Sequence, residues 1–173
     1  GPPEDKMGLR SSNTVMVALE DAFVPDDALL GAPGDGLRVA FNGLDGGRIG
    51  IAAQALGLAQ RALDESLAYA RTRMTFGKPI GEHQAIQMYL AEMEARVQAA
   101  RLLMIKAAFL KDQGEPCTVE AATAKLFATE NGSWVCDRAV QIFGGYGYTR
   151  EYMVERLYRD IRVTTIYDGT SEI

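Results

Sequence analysis

The chain has one histidine, His83, two cysteines and no basic excess, and each shortage removes a class of function. A di-metal centre in a helical bundle needs paired Glu-x-x-His motifs from facing helices, so a lone His rules it out and no metal site is expected. Nucleophilic triads fail on the same ground, since no Ser or Cys sits in a recognisable elbow. Cys117 and Cys136 make no disulfide framework. They read as small buried apolar side chains in a reducing compartment, which points to the cytoplasm. A net charge of −5 argues against a phosphate-backbone binder, and no nucleic-acid partner is expected. No apolar run reaches the roughly 18 residues of a membrane span, so no membrane partner is expected either. Neither a signal nor a transit pattern opens the chain. Gly1-Pro2 reads like the remnant of a cleaved purification tag.

What is present is enough apolar residue, 47% of 173, to fill one core. Residues 1–34 differ from the rest. Val15, Val17 and Leu19 alternate as in a short strand over Asn13 to Leu19, and Pro25, Gly31, Pro33 and Gly34 then punctuate a linker. The segment is too small for a sheet of its own and reads as the tail of a preceding β domain. Residues 35–173 read as a separate helical domain.

From Gly36 the pattern is helical. Leu37, Phe41, Leu44, Ile51, Ala55, Leu58 and Ala62 step by threes and fours, predicting one long helix to about Arg71. Gly77-Lys78-Pro79 breaks it. Ile86, Leu90, Met93, Val97, Ala100, Met104 and Ala107 then keep a four-three repeat, as in one of two antiparallel bundle helices. A third helix is expected after Thr118 as its cap, facing the core with Ala122, Leu126, Thr129, Ser133, Cys136, Val140 and Phe143, and stopped by Gly144-Gly145. A fourth fits Arg150 to about Arg162. The fold class is therefore all-α, an up-and-down four-helix bundle with a short N-terminal remnant of a β domain. The chain stops at Ile173, where a fifth helix is expected to begin.

Four places admit a bland and a chemical reading. Arg48 is a cation on an apolar stripe; Asp45, one turn earlier, is its plain partner, and an anionic ligand is the alternative. Arg71 and Arg73 suit a helix C-terminus as ordinary charges against the macrodipole. Gln141-Ile142-Phe143-Gly144-Gly145 can be a simple helix stop. Asp168-Gly169 can be a turn corner, with Thr170 as the N-cap of a new helix.

Three stretches taken together favour the chemical readings: Arg73-Met74-Thr75-Phe76-Gly77-Lys78-Pro79-Ile80, Gln141 to Tyr148, and Thr165-Ile166-Tyr167-Asp168-Gly169-Thr170-Ser171-Glu172-Ile173. In that order and at those separations they resemble the C-terminal domain of the acyl-CoA dehydrogenase family, most like its short- and medium-chain branches. The resemblance implies an FAD-dependent oxidoreductase of fatty acid metabolism that acts on an acyl-CoA substrate. It also implies assembly as a dimer of dimers (a homotetramer) and passage of electrons to an electron-transfer flavoprotein. Arg73, Met74, Thr75 and Phe76, with Gln84, would reach the pyrophosphate and adenine end of a neighbouring subunit's FAD, and Gln141, Ile142, Phe143, Gly144 and Gly145 would be flavin contacts. Asp45, Arg48 and Gly169 would touch substrate. Thr170, Ser171 and Glu172 match flavin-side positions.

In the family the catalytic base is usually a Glu before Gly-Thr; here that position holds Asp168. The second family position for the Glu, on the first long helix, matches Gly47, so that alternative is absent. The sequence leaves three explanations: a substrate placed to suit the shorter arm, which is the favoured one, altered chemistry, or a weak or inactive flavoprotein. The contrasting reading is a helical oligomerisation module without cofactor. On the family reading the chain is a fragment of the enzyme, expected to be inactive by itself.

Overall fold

A computed structural model describes residues 1–173. Four helices carry the chain: α1 Gly36–Thr72, α2 Gln84–Asp112, α3 Thr118–Phe143 and α4 Met153–Ile161. They run up, down, up and down, the all-α bundle that the periodicity predicts. Between α1 and α2, strands β1 Met74–Thr75 and β2 Lys78–Pro79 pair antiparallel, Thr75 opposite Lys78. Single 3₁₀ turns occupy Ile80–Glu82, Gly144–Tyr148 and Arg162–Thr165. No helix is long and apolar enough to cross a membrane.

Small residues set the close packing of α1 on α3. Ala52, Ala55, Ala59 and Ala62 meet Ala124, Ala128 and Ala139 in one core with Leu63, Val97 and Ile161. At Gly132 a Cβ would lie 3.3 Å from the Ala55 carbonyl and 3.2 Å from Ile161 Cδ1, so glycine lets the helices approach closely without crowding. Both cysteines are free and buried, and burial pushes the Cys136 thiol up to about 12.

The stripe of α2 is as expected, with Met93, Val97, Ala100 and Ala107 buried and Ile86, Leu90 and Met104 packed against them. On α1 it holds only from the fourth turn onward. Leu37 and Phe41 are 68% and 57% exposed, because Asp45 is already level with the first residue of α3 and Gly46 with the last turn of α2. The turns before them extend past the bundle. On α3 the buried set is broader than expected and includes Ala121, Ala124, Lys125, Ala128 and Val135, while Leu126 is half exposed. This helix packs on α1, α2 and α4 at once, so one apolar face does not describe it.

Three local expectations are corrected. Thr118 does not cap α3; Cys117 takes that position and the Thr118 hydroxyl donates to Asp45 Oδ2 at 2.7 Å. The fourth helix starts at Met153 rather than Arg150, since the Thr149 hydroxyl donates back to the Tyr146 carbonyl and closes the preceding turn. Residues 13–19 form no strand; two bonds, Glu4 N–H to Thr14 O and the N-terminus to Met16 O, are too few for a ladder.

Gly147 gives a direct test of the α3–α4 corner. A Cβ there would lie 2.6 Å from the Val140 carbonyl and 2.8 Å from Phe143 Cβ, against backbone that cannot swing aside. Gly147→Ala is expected to destabilise the bundle by about 2 kcal/mol, read as a lower thermal midpoint.

Candidate active site

The last nine residues form a tight loop against α1 and α3. The β-branched run Val163 to Ile166 does not extend the helix, and the chain reverses through two left-handed residues, Asp168 (φ 53°) and Gly169 (φ 97°). Such a backbone costs a non-glycine residue about 1–3 kcal/mol unless its surroundings hold it, although Asp tolerates the region better than most. The surroundings do hold it. Ser171 N–H donates to Thr165 O at 3.1 Å, Tyr167 Oη to Gln54 Oε1 at 2.5 Å, Ser171 Oγ to Glu130 Oε1 at 2.5 Å, and Lys125 Nζ to Gly169 O at 2.6 Å.

A pocket of about 260 Å³ opens here, lined by Arg48, Lys125, Asp168, Gly169, Thr170 and Glu172 among others. Asp45 and Arg48 do pair, loosely, at 3.9 Å. The same guanidinium stands beside the loop, with Nη2 3.6 Å from where a Gly169 Cβ would lie. Both readings of Arg48 are therefore compatible with its position. Asp168 lies directly over Gly47: its Oδ2 fills the space a Gly47 side chain would need, and its Cγ lies 3.2 Å from that Cβ position. The Asp168 N–H has no acceptor in the protein. The Thr170 hydroxyl, hydrogen-bonded to Glu172, holds that carboxyl below its usual range.

A second cleft, of about 460 Å³, lies at the other end of the bundle. Arg73, Thr75, Ile142, Phe143, Gly144 and Gly145 line it together with Tyr69 and Tyr146. Two stretches separated by the whole of α2 and α3 are thus brought together. The Arg73 guanidinium sits 5.1 Å over the Tyr146 ring, and Tyr69 stacks on Phe143 at 4.0 Å. Burial raises the Tyr69 hydroxyl above its usual value. Gly144 turns left-handed at φ 61°, and neither it nor Gly145 has an atom within 4 Å of a built Cβ, so a ligand can approach the bare backbone. That combination of a forked cation and uncovered glycines fits a pyrophosphate-bearing group. Met74, Phe76, Gln84 and Gln141 are exposed beside this cleft rather than lining it. Phe76 is 96% exposed at the tip of the hairpin, where its φ of 50° and Gly77 at 79° make the mirror-image turn that two-residue hairpins favour.

The two sites share α1. Arg48 and Arg73 stand toward its opposite ends, about 37 Å apart at about 1.5 Å per residue.

The sequence model described as "Acyl-CoA dehydrogenase, C-terminal domain" matches residues 34–173. The chain belongs to the acyl-CoA dehydrogenase family. Among acyl-CoA dehydrogenases, the short-chain specific mitochondrial enzyme of Bos taurus is 52% identical over all 173 residues, which span 42% of its length. The structure of butyryl-CoA dehydrogenase from Megasphaera elsdenii superposes with a TM-score of 0.98 at 48% identity, over 99% of this chain and 45% of that one. An acyl-CoA dehydrogenase from Bacillus anthracis, solved complexed with FAD, gives a TM-score of 0.94 at 36% identity, over 100% of this chain and 33% of that one. This chain therefore spans less than half the length of these acyl-CoA dehydrogenases.

Lys125 is the member of the site that the sequence did not single out. A lysine at that spacing reads as a solvated charge on the edge of a helix.

Proposed function

We propose that this chain is the C-terminal helical part of an FAD-dependent acyl-CoA dehydrogenase in which Asp168 removes the α-proton of an acyl-CoA thioester. The observation that carries the reading is the Asp168 carboxylate, fixed on a left-handed loop in a pocket beside the Arg48 cation. An α-proton is only weakly acidic, so its removal needs a base in contact and donors on the thioester oxygen. Asp168 supplies both from one residue, the carboxylate as base and its unpaired backbone N–H as donor. Arg48, Asp45 and Gly169 border the substrate. FAD, when bound, supplies the acceptor for the hydride that leaves the β-carbon. Thr170, Ser171 and Glu172 face it from the same chain.

The second cleft would hold the pyrophosphate and adenine end of an FAD whose reactive ring belongs to a neighbouring protomer. Arg73 with Thr75 and Gly144-Gly145 forms its core, and Met74, Phe76, Gln84, Gln141, Ile142 and Phe143 surround it. The length of α1 supports this division, because one extended dinucleotide does not join two clefts so far apart. Association of copies as a dimer or homotetramer is supported by Leu102, Ile105 and Phe109, which share one face of α2 and are 68%, 52% and 61% exposed. An electron-transfer flavoprotein as the acceptor of the electrons, a place in fatty acid metabolism and a cytoplasmic setting belong to the same proposal, the last supported by two unpaired buried thiols.

The complete protein tests the reading. It should show a flavin absorption band and turn over members of an acyl-CoA thioester panel with an artificial electron acceptor. A protein that stays colourless with added FAD overturns it in favour of a helical oligomerisation module. Arg73→Ala is expected to weaken FAD retention about 10- to 100-fold, the worth of a charged hydrogen bond, as measured by flavin release on dilution.

A further inference from the structure

Lys125 is the one charged side chain among the buried residues of the bundle, 4% exposed. Its single hydrogen bond goes to a neutral group, the Gly169 carbonyl, across 44 residues of sequence. Burying an ammonium on a neutral partner costs free energy that a methionine in its place would not, so packing alone does not explain it. The position does. The carbonyl it holds is the one directly after the left-handed pair Asp168-Gly169, and it belongs to the peptide that also carries the Thr170 N–H. Anchoring that peptide plane fixes the direction in which the preceding residue presents its carboxylate.

We infer that Lys125 is a positioning residue for Asp168: its buried ammonium anchors the Gly169 carbonyl and so locks the left-handed turn that aims the acid into the pocket. This rests on Asp168 being the base. The charged groups facing Lys125 are Arg48 from α1, Glu130 from α3, and Asp168 and Glu172 from the loop. Burial, the largest influence, holds Lys125 below the usual lysine range. The lysine is therefore charged below its folded-state value and sheds its proton at a pH where the unfolded chain still keeps one. As pH rises through that value the folded state is relieved of a buried charge and gains stability. The anchor loses its charge over the same range, so activity falls as stability rises.

Lys125→Met and Lys125→Gln in the complete FAD-bound protein test this. Lys125→Met is expected to lower kcat about 100-fold, as a base displaced by about 1 Å would, with KM little changed. Its thermal midpoint should equal or exceed that of the wild type, and amide exchange in residues 165–173 should quicken. The alkaline fall in kcat that accompanies Lys125 discharge should be missing. Lys125→Gln keeps a neutral donor and should recover part of the rate and of the exchange protection without restoring that alkaline fall. A Met variant with wild-type kcat overturns the inference. So does one in which kcat and thermal midpoint fall together, since an ordinary structural support behaves that way. Asp168→Asn assayed alongside separates the two assignments. If it too keeps wild-type turnover, the base assignment fails; if it is slow while Lys125→Met is fast, only the role of Lys125 fails.

Discussion

Asp168→Asn is expected to lower acyl-CoA turnover about 10³-fold, within the range that a positioned general base contributes. The substitution is nearly isosteric. It keeps the backbone N–H that has no acceptor in the protein, and it leaves the Lys125 anchor on the neighbouring carbonyl in place. What it removes is the ability to take a proton, so the loss should fall on kcat, with flavin content and thermal midpoint unchanged. Asp168→Glu is the matching control. The longer arm points toward Gly47, which has no side chain to obstruct it, and activity should persist. Should Asn turn over as fast as Asp, the carboxylate is not the base.

The second large effect is expected at Gly47 itself. The three atoms nearest to where a Cβ would lie at this position all belong to the Asp168 carboxyl group. Gly47→Ala therefore meets first the end of a side chain that can rotate away, so the fold tolerates it. Alanine also favours the helix over glycine by about 1 kcal/mol. The variant should melt at the wild-type temperature or above. Its base, however, has to move, and a displacement of about 1 Å can cost on the order of 10²-fold in rate. Thermal unfolding and turnover measured on the same sample decide the matter. A Gly47→Ala enzyme of full activity would show that the carboxylate does not work from where the structure places it.

The bundle could be read from the chain because long helices repeat their pattern many times. Met93, Val97, Ala100 and Ala107 are buried as their spacing predicts. Where a helix has neighbours on several sides the pattern fades. On α3 Thr129, Cys136 and Phe143 of the expected stripe are buried, but alanines and Gly132 take the closest approaches while Leu126 stays half exposed, so a single stripe described only part of the face. Motif residues stood out for a different reason, the resemblance of three spaced stretches to one family; local geometry alone gave only a helix stop and terminal charges. Gly144 is left-handed as expected, and Arg73 and Gly145 share its cleft. The turn at Asp168-Gly169 was legible too, as an acid-glycine corner. Its support was not. Lys125 acquires meaning only when a carbonyl 44 residues away is brought onto it, and single-residue spacing carries no trace of that. The hairpin left a fainter sign, since Phe76-Gly77 between Thr75 and Lys78 has the glycine that a mirror-image turn wants.

The span of α1 has a genetic counterpart. If an acid at one end and an arginine fork at the other serve different flavins, damage to each lands in a different centre. A polypeptide crippled in its hairpin can still lend a sound carboxylate, and one crippled in its terminal loop can lend a sound hairpin. Two defective alleles expressed together would then rebuild a working centre that neither could make alone.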